Sequence, residues 1–367
     1  MGSTLNEYNQ LFDQFDKLAL EVGNDFDQFI SDFTSKIQKA SDGAKVEYIT
    51  AYEAGNKLER MLALEEQGIS SNLIDCGMPT LFSNGLFPVG FIVLQGLSGS
   101  GKTALALQSL LGAAIKMREN NLPGCVSIQE LEMPDWMLLR RMASMLSAVN
   151  FRDIQTGKAG NSDMDRYHQA IDFIKTLPLY INDKDAQTSY SAISHNVALN
   201  LQHGPLRMTV SDYAELFTDK REESEELRIA QVAHNHHSLY KRTGAVTLLI
   251  TQLTLPPMSR TKFAGPMGAR YSKSLWHNSD VYLELYNPIA MKKASIDFDM
   301  PTDLGIKDET VAHIAIEKYR DGKPGVFTLG WDDEKTTFID PVLSARLGSG
   351  DKVFDTQSFY YNNHDDF

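Results

Sequence analysis

The chain has 367 residues, of which 42% are apolar and 23% charged, an ordinary composition for a globular protein. No window approaches ~18 consecutive apolar residues, which excludes a predicted membrane-spanning helix. The net charge of −13 excludes a surface that is basic all over, although a local basic channel can lie inside an acidic protein.

The N-terminal part, residues 1–66, is predicted to be a small helical domain. Apolar side chains recur at helical spacing over residues 5–22 and again over residues 26–37. The Ser-Asp-Gly at 41–43 breaks the pattern, and a further helical run follows it. We expect the apolar stripe of this helical region to be buried against a partner.

Two observations bear on the compartment of the protein. The first ten residues, MGSTLNEYNQ, have neither the basic start nor the apolar core of a secretory signal. The two cysteines, Cys76 and Cys125, are too few for a disulfide framework or a zinc site. Both features favour the reducing cytoplasm, in a phage-infected host if the chain is a phage protein.

The middle of the chain carries the pattern of an α/β fold. Residues 67–88 are rich in Gly, Ser, Asn and Pro and are predicted to be a linker and entry loop. Over residues 89–340, buried strands alternate with helices, the rhythm of a parallel sheet covered on both faces. After residue 280 the strands come closer together, which predicts an antiparallel edge. The tail, residues 341–367, is polar and acidic.

A phosphate-binding loop follows the first long strand of this region. Gly96, Gly101, Lys102 and Thr103 complete the G-x-x-x-x-G-K-[ST] pattern, with a predicted strand before it and a helix after it. In this pattern backbone N–H groups wrap the phosphates, the lysine reaches the β- and γ-phosphates, and the hydroxyl binds Mg²⁺. A glycine-rich turn that binds nothing is the alternative, which the context disfavours. The predicted binding residues are Gly96, Ser98, Gly99, Ser100, Gly101, Lys102 and Thr103.

Three carboxylates are candidates for the chemistry around these phosphates. Asp212 closes the predicted strand LRMTVSD, where a Mg²⁺-holding acid belongs, although it could also be an ordinary helix N-cap. Glu130 and Glu132 follow the strand after the loop's helix, where a carboxylate can act as general base on the attacking water. The alternative for this pair is a solvated acidic loop, and the residues alone do not decide between the two glutamates.

Five further segments resemble DnaB-like replicative helicases and occur in that family's order. VSIQELEMP, followed by two arginines, resembles the strand that ends in Glu-Met, TVSDY resembles the Asp-Tyr strand end, and LLITQL resembles the Ser-Gln-Leu element. RYSKSLWHNSD keeps an Arg-x-Ser with an Asp eight residues after the Ser, and AIEKYRDGKPG resembles the Lys-x-Arg-x-Gly segment. The resemblance spans about residues 74–340.

This resemblance implies a RecA-like P-loop ATPase core with a central parallel sheet, assembled as a hexameric ring around single-stranded DNA. It implies ATP and Mg²⁺ as ligands, with Thr103 and Asp212 holding the metal. It also implies that Glu132 is the catalytic glutamate, in preference to Glu130, and that Gln252 senses the γ-phosphate.

The resemblance further implies that Arg320, with Lys318, is the finger that reaches into the neighbouring subunit's ATP. An arginine placed on developing negative charge can be worth ~10³–10⁵ in rate, and supplying it in trans makes hydrolysis depend on assembly. Without the resemblance, a solvated charged strand end is an equal alternative.

Some positions depart from the family's pattern. Ser211 stands where an aliphatic residue usually precedes the Asp, and Arg207 and Thr209 lie in the same strand. These polar residues predict a strand that lies nearer the sheet edge or is partly wet. The N-terminal region is also much shorter than the helical domain of the bacterial family, and the compact size is similar to that of phage members.

Four basic residues are predicted to contact DNA. They cluster between the sensor strand and the next strand, around a glycine-rich segment that we expect to be a mobile loop: Arg260, Lys262, Arg270 and Lys273. Loops at the carboxyl ends of a parallel sheet face the functional side, and in a ring they would grip phosphates in series. A solvated basic loop is the alternative.

The C-terminal sequence His-Asp-Asp-Phe resembles tails through which single-stranded DNA-binding proteins and some phage helicase-primases recruit partners. A disordered, solubilising end is the more common interpretation of such a tail. The partner class expected through this tail or through the N-terminal region is a primase, polymerase or loader.

The leading interpretation is therefore a ring-forming, ATP-driven DNA helicase. The alternatives are a RecA-type recombinase or other filament-forming ATPase, and a KaiC-like regulatory ATPase with no role on DNA. The Glu-Met strand end and the Lys-x-Arg element favour the helicase.

Overall fold

The chain divides into two compact units, residues 1–69 and 70–367. The structure, a computed structural model, describes residues 50–66, 73–82, 85–183, 187–219, 224–253, 272–293, 308 and 310–348. In the first unit the described element is helix α1 (Ala51–Glu66), which belongs to the predicted helical region. The rest of the prediction for residues 1–49 lies outside the described residues, as does most of the predicted tail.

The second unit carries the sheets. Its described strands are β1 (Leu73–Asp75), β2 (Leu86–Pro88), β3 (Gly90–Gly96), β4 (Cys125–Glu130), β5 (Leu179–Asn182), β6 (Leu206–Asp212), β7 (Val246–Gln252), β8 (Val281–Tyr286), β9 (Ala312–Tyr319), β10 (Gly325–Asp332) and β11 (Thr337–Ile339). Its described helices are α2 (Lys102–Glu119), α3 (Asp135–Ser147), α4 (Phe151–Thr156), α5 (Asn161–Ile174), α6 (Ser189–Gln202), α7 (Glu225–Thr243), α8 (Ser272–Asn278), α9 (Pro288–Lys293) and α10 (Pro341–Gly348), with a short 3₁₀ turn at Ala214–Leu216.

Nine of the described strands form one sheet in the order β11-β10-β9-β8-β3-β7-β6-β4-β5. Strands β3 to β8 pair in parallel, and β9, β10 and β11 add an antiparallel edge next to β8. The prediction of an α/β fold with a parallel centre and an antiparallel edge is confirmed.

Both faces of the central strand β3 are buried, because its alternate residues point to opposite faces of the sheet. Ile92 and Leu94 pack in the larger apolar cluster, which includes most of the buried face of α2. Phe91 and Val93 pack in a second cluster with residues of α7. The sheet is therefore covered on both faces, so polar groups meet at the ends of its strands. None of the described helices is long and apolar enough to cross a membrane.

The predicted linker at 67–88 is corrected in part. Strands β1 and β2 lie within it and pair antiparallel, with Ile74 opposite Phe87. Both side chains are buried in the larger apolar cluster, so this segment is part of the folded unit. A short strand with one buried residue is easily hidden in a stretch rich in turn residues, which is why composition misled the prediction.

The start of the predicted polar tail is also corrected. Residues 341–348 form α10, and Leu343 is buried. Asp340 caps this helix by accepting hydrogen bonds from the backbone N–H groups of Val342 and Leu343. The Asp340 carboxylate also accepts from the hydroxyl and backbone N–H of Thr80, so the helix start is tied to the segment after β1.

The prediction that the polar strand β6 lies near the sheet edge is wrong. β6 lies inside the sheet, between β7 and β4. Thr209 and Ser211 are buried and paired, whereas Arg207 is half-buried: Thr209 accepts from the Ser127 hydroxyl, and the Ser211 hydroxyl bonds to the ring of His236. A buried hydroxyl is tolerated in a central strand when it has such partners.

Candidate functional site

The candidate site lies at the carboxyl ends of four neighbouring parallel strands of the sheet. β3 ends at Gly96, β7 at Gln252, β6 at Asp212 and β4 at Glu130. The strand order β3-β7-β6-β4 makes these ends adjacent, and Gly96 lies opposite Gln252 while Glu130 lies opposite Asp212. Residues far apart in the sequence are thus brought to one edge, as the carboxyl ends of parallel strands require.

Two glycines of the phosphate-binding loop are required by its geometry. A Cβ on Gly96 would lie 2.8 Å from the carbonyl oxygen of Leu285 and 2.9 Å from the Ser100 hydroxyl. Gly101 has a φ of +97° and packs against the rings of Trp331 and Phe338. These two glycines therefore fix the path of the loop between the end of β3 and the start of α2.

The N-terminus of α2 has the properties of an anion site. Gly101 is its N-cap and supplies no capping side chain, and the first turn has no acidic residue. The first N–H groups of a helix lack intrahelical partners, and the helix dipole favours negative charge there. Ser98 and Gly99 are exposed in the loop, and the buried Ser100 hydroxyl has no hydrogen-bond partner among the described residues. These unpaired donors are the groups that a phosphate would satisfy.

Lys102 lies across the loop. Its Nζ donates hydrogen bonds to the carbonyl oxygens of Gly96, at 2.8 Å, and Leu97, at 2.9 Å. Burial lowers the pKa of Lys102 to about 8, although the carboxylates of Asp212, Glu215 and Glu132 act to raise it. An ammonium group already buried beside carbonyls gains from a phosphate oxygen in the same loop.

Thr103 and Asp212 form the candidate Mg²⁺ site. The Thr103 hydroxyl donates to the Asp212 carboxylate at 2.5 Å. Burial raises the pKa of Asp212 to about 6, while the bond from Thr103 lowers it. A hydroxyl and a carboxylate oxygen fit the oxygen ligands that Mg²⁺ prefers. In the described part of the chain there is no group of three or more His, Cys, Asp or Glu side chains that could hold a metal ion.

The two candidate glutamates have different surroundings. Glu130 is fully buried, and its Oε1 accepts from the backbone N–H groups of Glu132, at 2.9 Å, and Met133, at 3.0 Å. Burial, together with the nearby Asp212, raises the pKa of Glu130 to about 8. Glu132 is exposed, on the segment that Glu130 shapes. Glu130 therefore orders this segment through its hydrogen bonds, whereas the Glu132 side chain is open to solvent.

The end of the sensor strand is held by a residue that the sequence analysis missed. Glu215, in the 3₁₀ turn after Asp212, accepts from the Thr251 hydroxyl at 2.7 Å and from the Gln252 backbone N–H at 3.1 Å. Burial raises the pKa of Glu215, and these two hydrogen bonds lower it. The only sequence signal for this residue is an acid three positions after Asp212, which by itself is also the pattern of an exposed turn.

Arg320 and Lys318 lie at the other end of the strands, near the start of β3. Arg320 directly follows β9 and forms an ion pair of 2.6 Å with Asp280, the residue before β8. Lys318 donates from Nζ to the carbonyl oxygens of Trp276 and Ser279, both at 2.5 Å, so it caps the C-terminal end of α8. Half of the Arg320 side chain is exposed, so its guanidinium can reach outward.

Of the four predicted DNA contacts, one falls in the described residues. Lys273 is exposed in the first turn of α8. Arg260, Lys262 and Arg270 lie outside the described residues, so the predicted basic loop remains a prediction.

Comparison with known proteins gives a consistent result. A family model described as the DnaB-like helicase C terminal domain matches residues 68–340. The Replicative DNA helicase DnaB of Leifsonia xyli subsp. xyli is 28% identical over 225 residues, which is 59% of this chain and 48% of that protein. The protein of the same name from Buchnera aphidicola subsp. Baizongia pistaciae is 24% identical over 82% of this chain and 62% of its own length. The chain thus spans less than two thirds of these relatives.

Solved structures share the fold. A structure of a DnaB-like replicative helicase, described together with its interactions with primase, superposes with a TM-score of 0.66 at 18% identity, over 92% of this chain and 77% of that one. A solved ATPase domain superposes with a TM-score of 0.63 at 20% identity, over 78% of this chain and 98% of that one. The larger unit therefore has the RecA-like fold of these ATPase domains.

Proposed function

The chain belongs to the family of DnaB-like helicases, and from that premise we propose that it is an ATP-driven replicative DNA helicase that works as a ring hexamer on single-stranded DNA. The observation that carries this proposal is the separation of Lys102 and Arg320. The phosphate-binding loop and its acidic partners lie at one edge of the sheet, and the candidate finger lies at the other.

The separation can be read from the register of the strands. Asp280 bonds to Phe91 near the start of β3, through both its backbone N–H and its carboxylate, and Arg320 is paired with Asp280. Gly96 lies five residues beyond Phe91 along the extended strand, a distance of about 17 Å. An arginine side chain cannot span this distance and reach phosphates beyond Gly96. If Arg320 acts on ATP, it acts on the ATP of a second subunit.

The chemistry that we propose for the phosphate-binding loop follows from the residues around it. Backbone N–H groups of the loop and the Lys102 ammonium bind the phosphates, and Glu132 accepts the proton of the attacking water. The Gln252 side chain contacts the γ-phosphate from the neighbouring strand end. Thr103 and Asp212 would hold Mg²⁺, which would neutralise charge on the phosphates. Arg320 of a second subunit adds positive charge where negative charge develops.

We propose single-stranded DNA as the second substrate. Arg260, Lys262, Arg270 and Lys273 follow the strand that ends at Gln252, and their positive charge matches the phosphate backbone of DNA. A primase is a proposed partner because a solved relative is described with its interactions with primase. We propose the short N-terminal region or the C-terminal tail as its docking segment, and the cytoplasm as the place where the protein acts.

Fork unwinding, run alongside electron microscopy of the particles, tests this function. We expect closed six-fold rings and strand separation that requires ATP and Mg²⁺. Open filaments on DNA without unwinding would replace the proposal with a recombinase. ATP turnover that ignores DNA, in rings that never unwind a fork, would favour a regulatory ATPase.

A further inference from the structure

Glu215 lies where the hydrogen-bonded register between β6 and β7 stops. The paired register runs from Met208 and Val246 to Ser211 and Leu249. Beyond that point, Glu215 serves the end of β7 through its side chain, by accepting from the Thr251 hydroxyl and the Gln252 backbone N–H. A carboxylate here continues, on one side of β7, the hydrogen bonding that the backbone of β6 no longer provides.

The other side of the same strand end is bonded to the phosphate-binding loop. The backbone N–H of Leu253 donates to the carbonyl oxygen of Gly96 at 2.9 Å. That same oxygen accepts from the Nζ of Lys102 at 2.8 Å. Gln252 is therefore fixed between two anchors, the start of the loop on one side and Glu215 on the other.

The second oxygen of Glu215 points to a role beyond this anchoring. Oε2 is buried and has no hydrogen-bond partner among the described residues. The charges of Glu215 and Lys102 act on each other, so the carboxylate lies within electrostatic reach of the ammonium that binds phosphate. A buried carboxylate with one unpaired oxygen lowers the stability of the folded protein. This cost favours a functional role for Glu215 over a purely structural one.

We propose that Glu215 is a positioning residue: it holds the end of β7 and thereby orients the sensor Gln252 toward the γ-phosphate. This inference rests on the proposed function, since that function gives Gln252 its role. Misplacing a reacting or sensing group by about 1 Å can cost up to ~10²-fold in rate, whereas binding of the nucleotide depends mainly on the loop and Lys102. Loss of the anchor should therefore lower kcat while leaving KM for ATP nearly unchanged.

Four variants of the full chain test this proposal: Glu215→Ala, Glu215→Gln, Gln252→Ala and the double variant Glu215→Ala with Gln252→Ala. We expect Glu215→Ala to lower the DNA-stimulated kcat by about 10-fold or more, with KM and nucleotide Kd within about 3-fold of wild type. Glu215→Gln keeps an oxygen that accepts both hydrogen bonds, so it should restore kcat to within about 3-fold of wild type. Because Glu215 acts through Gln252, the double variant should be no slower than Gln252→Ala.

Asp219 provides the matched control. Its carboxylate is buried and, like that of Glu215, accepts from one hydroxyl and one backbone N–H, both of Ser189. Asp219→Ala should lower the thermal midpoint without lowering kcat at temperatures where the protein is folded. If Glu215→Ala behaves like this control, with a lower thermal midpoint but a wild-type kcat wherever it is folded, Glu215 is only a structural residue and the proposal is overturned.

The remaining outcomes separate the two levels of the argument. If the kcat losses of Glu215→Ala and Gln252→Ala multiply in the double variant, the two residues act independently. That result would overturn the positioning role, although the protein would still be an ATPase. A wild-type protein that does not hydrolyse ATP in the presence of DNA would overturn the proposed function itself. A Gln252→Ala variant with wild-type kcat would overturn the inference, since Glu215 would then have nothing to position.

Discussion

Arg320 forms an ion pair of 2.6 Å with Asp280 of its own chain, at the edge of the sheet opposite to the phosphate-binding loop. The pairing is reinforced by the backbone, because the Arg320 N–H donates to the carbonyl oxygen of Asp280 at 2.9 Å. The Asp280 carboxylate also accepts from the Phe91 N–H, so this aspartate belongs to the folded core while half of the arginine side chain is exposed. The backbone of Arg320 is thus fixed, and its guanidinium can exchange partners.

The first prediction concerns this arginine. Arg320→Ala should lower ATP turnover of the assembled protein by about 10³-fold, because an arginine on the developing charge contributes on this order. Binding of ATP should change much less than turnover, since the loop and Lys102 of the other subunit supply the groups that bind the phosphates. Steady-state turnover and nucleotide Kd measure the two effects, with Lys323→Ala, an exposed cation in the turn after Arg320, as the matched control.

Mixing experiments decide whether Arg320 acts between subunits. Subunits with Arg320→Ala and subunits with Lys102→Ala should restore part of the activity when they are mixed, because some interfaces then pair an intact loop with an intact arginine. Absence of any complementation in well-formed mixed rings would contradict action in trans.

The second prediction concerns the lysine of the loop. Lys102→Ala should abolish detectable hydrolysis and weaken ATP binding, because it removes the buried cation that faces the phosphates. The fold should persist, since the partners of Nζ are two carbonyl oxygens of the loop rather than a core charge. Turnover, nucleotide binding and thermal unfolding measure these effects. Lys116→Ala, at the other end of α2, is the control and should retain activity. Retained turnover in Lys102→Ala would refute the assignment of the loop.

The third prediction separates Glu132 from Glu130. Glu132→Gln should lower hydrolysis by about 10²–10⁴-fold, the range for loss of a general base, while ATP still binds. Glu130→Gln should be nearly silent at pH 7, because a pKa of about 8 leaves Glu130 mostly protonated and the amide keeps an oxygen for the same two N–H groups. Single-turnover hydrolysis of both variants is the measurement. A silent Glu132→Gln beside an inactive Glu130→Gln would exchange the two roles.

The sequence predicts this architecture well wherever the signal is local. The alternation of buried strands and helices, and the spacing of Gly96, Gly101, Lys102 and Thr103, depend on neighbours in the chain. The adjacency of Asp212 to Thr103 also follows, because strand ends of a parallel sheet meet at one edge. These features required no knowledge of long-range contacts beyond the fold class.

The features that the sequence did not reveal depend on contacts between distant segments. Glu215 looks like an exposed turn residue until the end of β7 is placed beside it. The hydrogen bonds from Lys318 to the end of α8 are also absent from the sequence pattern, because they require that helix to lie beside β9. Ser211 suggests an edge strand until His236 is brought against it by α7. In each case a polar side chain finds a partner that sequence spacing does not indicate.

The fourth prediction is a pH dependence set by His236. This histidine is buried between the rings of Phe91 and Phe217, with one ring nitrogen at 2.8 Å from the Val232 carbonyl oxygen and the other at 2.9 Å from the Ser211 hydroxyl. Burial lowers its pKa to about 4, against a weaker opposing effect of Asp219 and the Val232 bond. In the folded protein the neutral ring therefore satisfies both partners, and protonation is disfavoured.

The direction of the effect follows from proton binding. Between about pH 4 and pH 6.5 the unfolded chain holds a proton on this residue that the folded protein does not, so the free energy of unfolding rises with pH across this window. The contribution of His236 is complete above about pH 6.5 and is lost as the pH falls toward 4, on the order of 3 kcal/mol in all.

Urea unfolding at fixed pH values from 4 to 8 measures it. His236→Gln, which does not titrate, should be less stable at pH 8 but should lose less stability on acidification. His168→Gln, at an exposed site on α5, should keep the wild-type slope. A His236→Gln profile parallel to that of the wild type would show that other groups set the acid sensitivity.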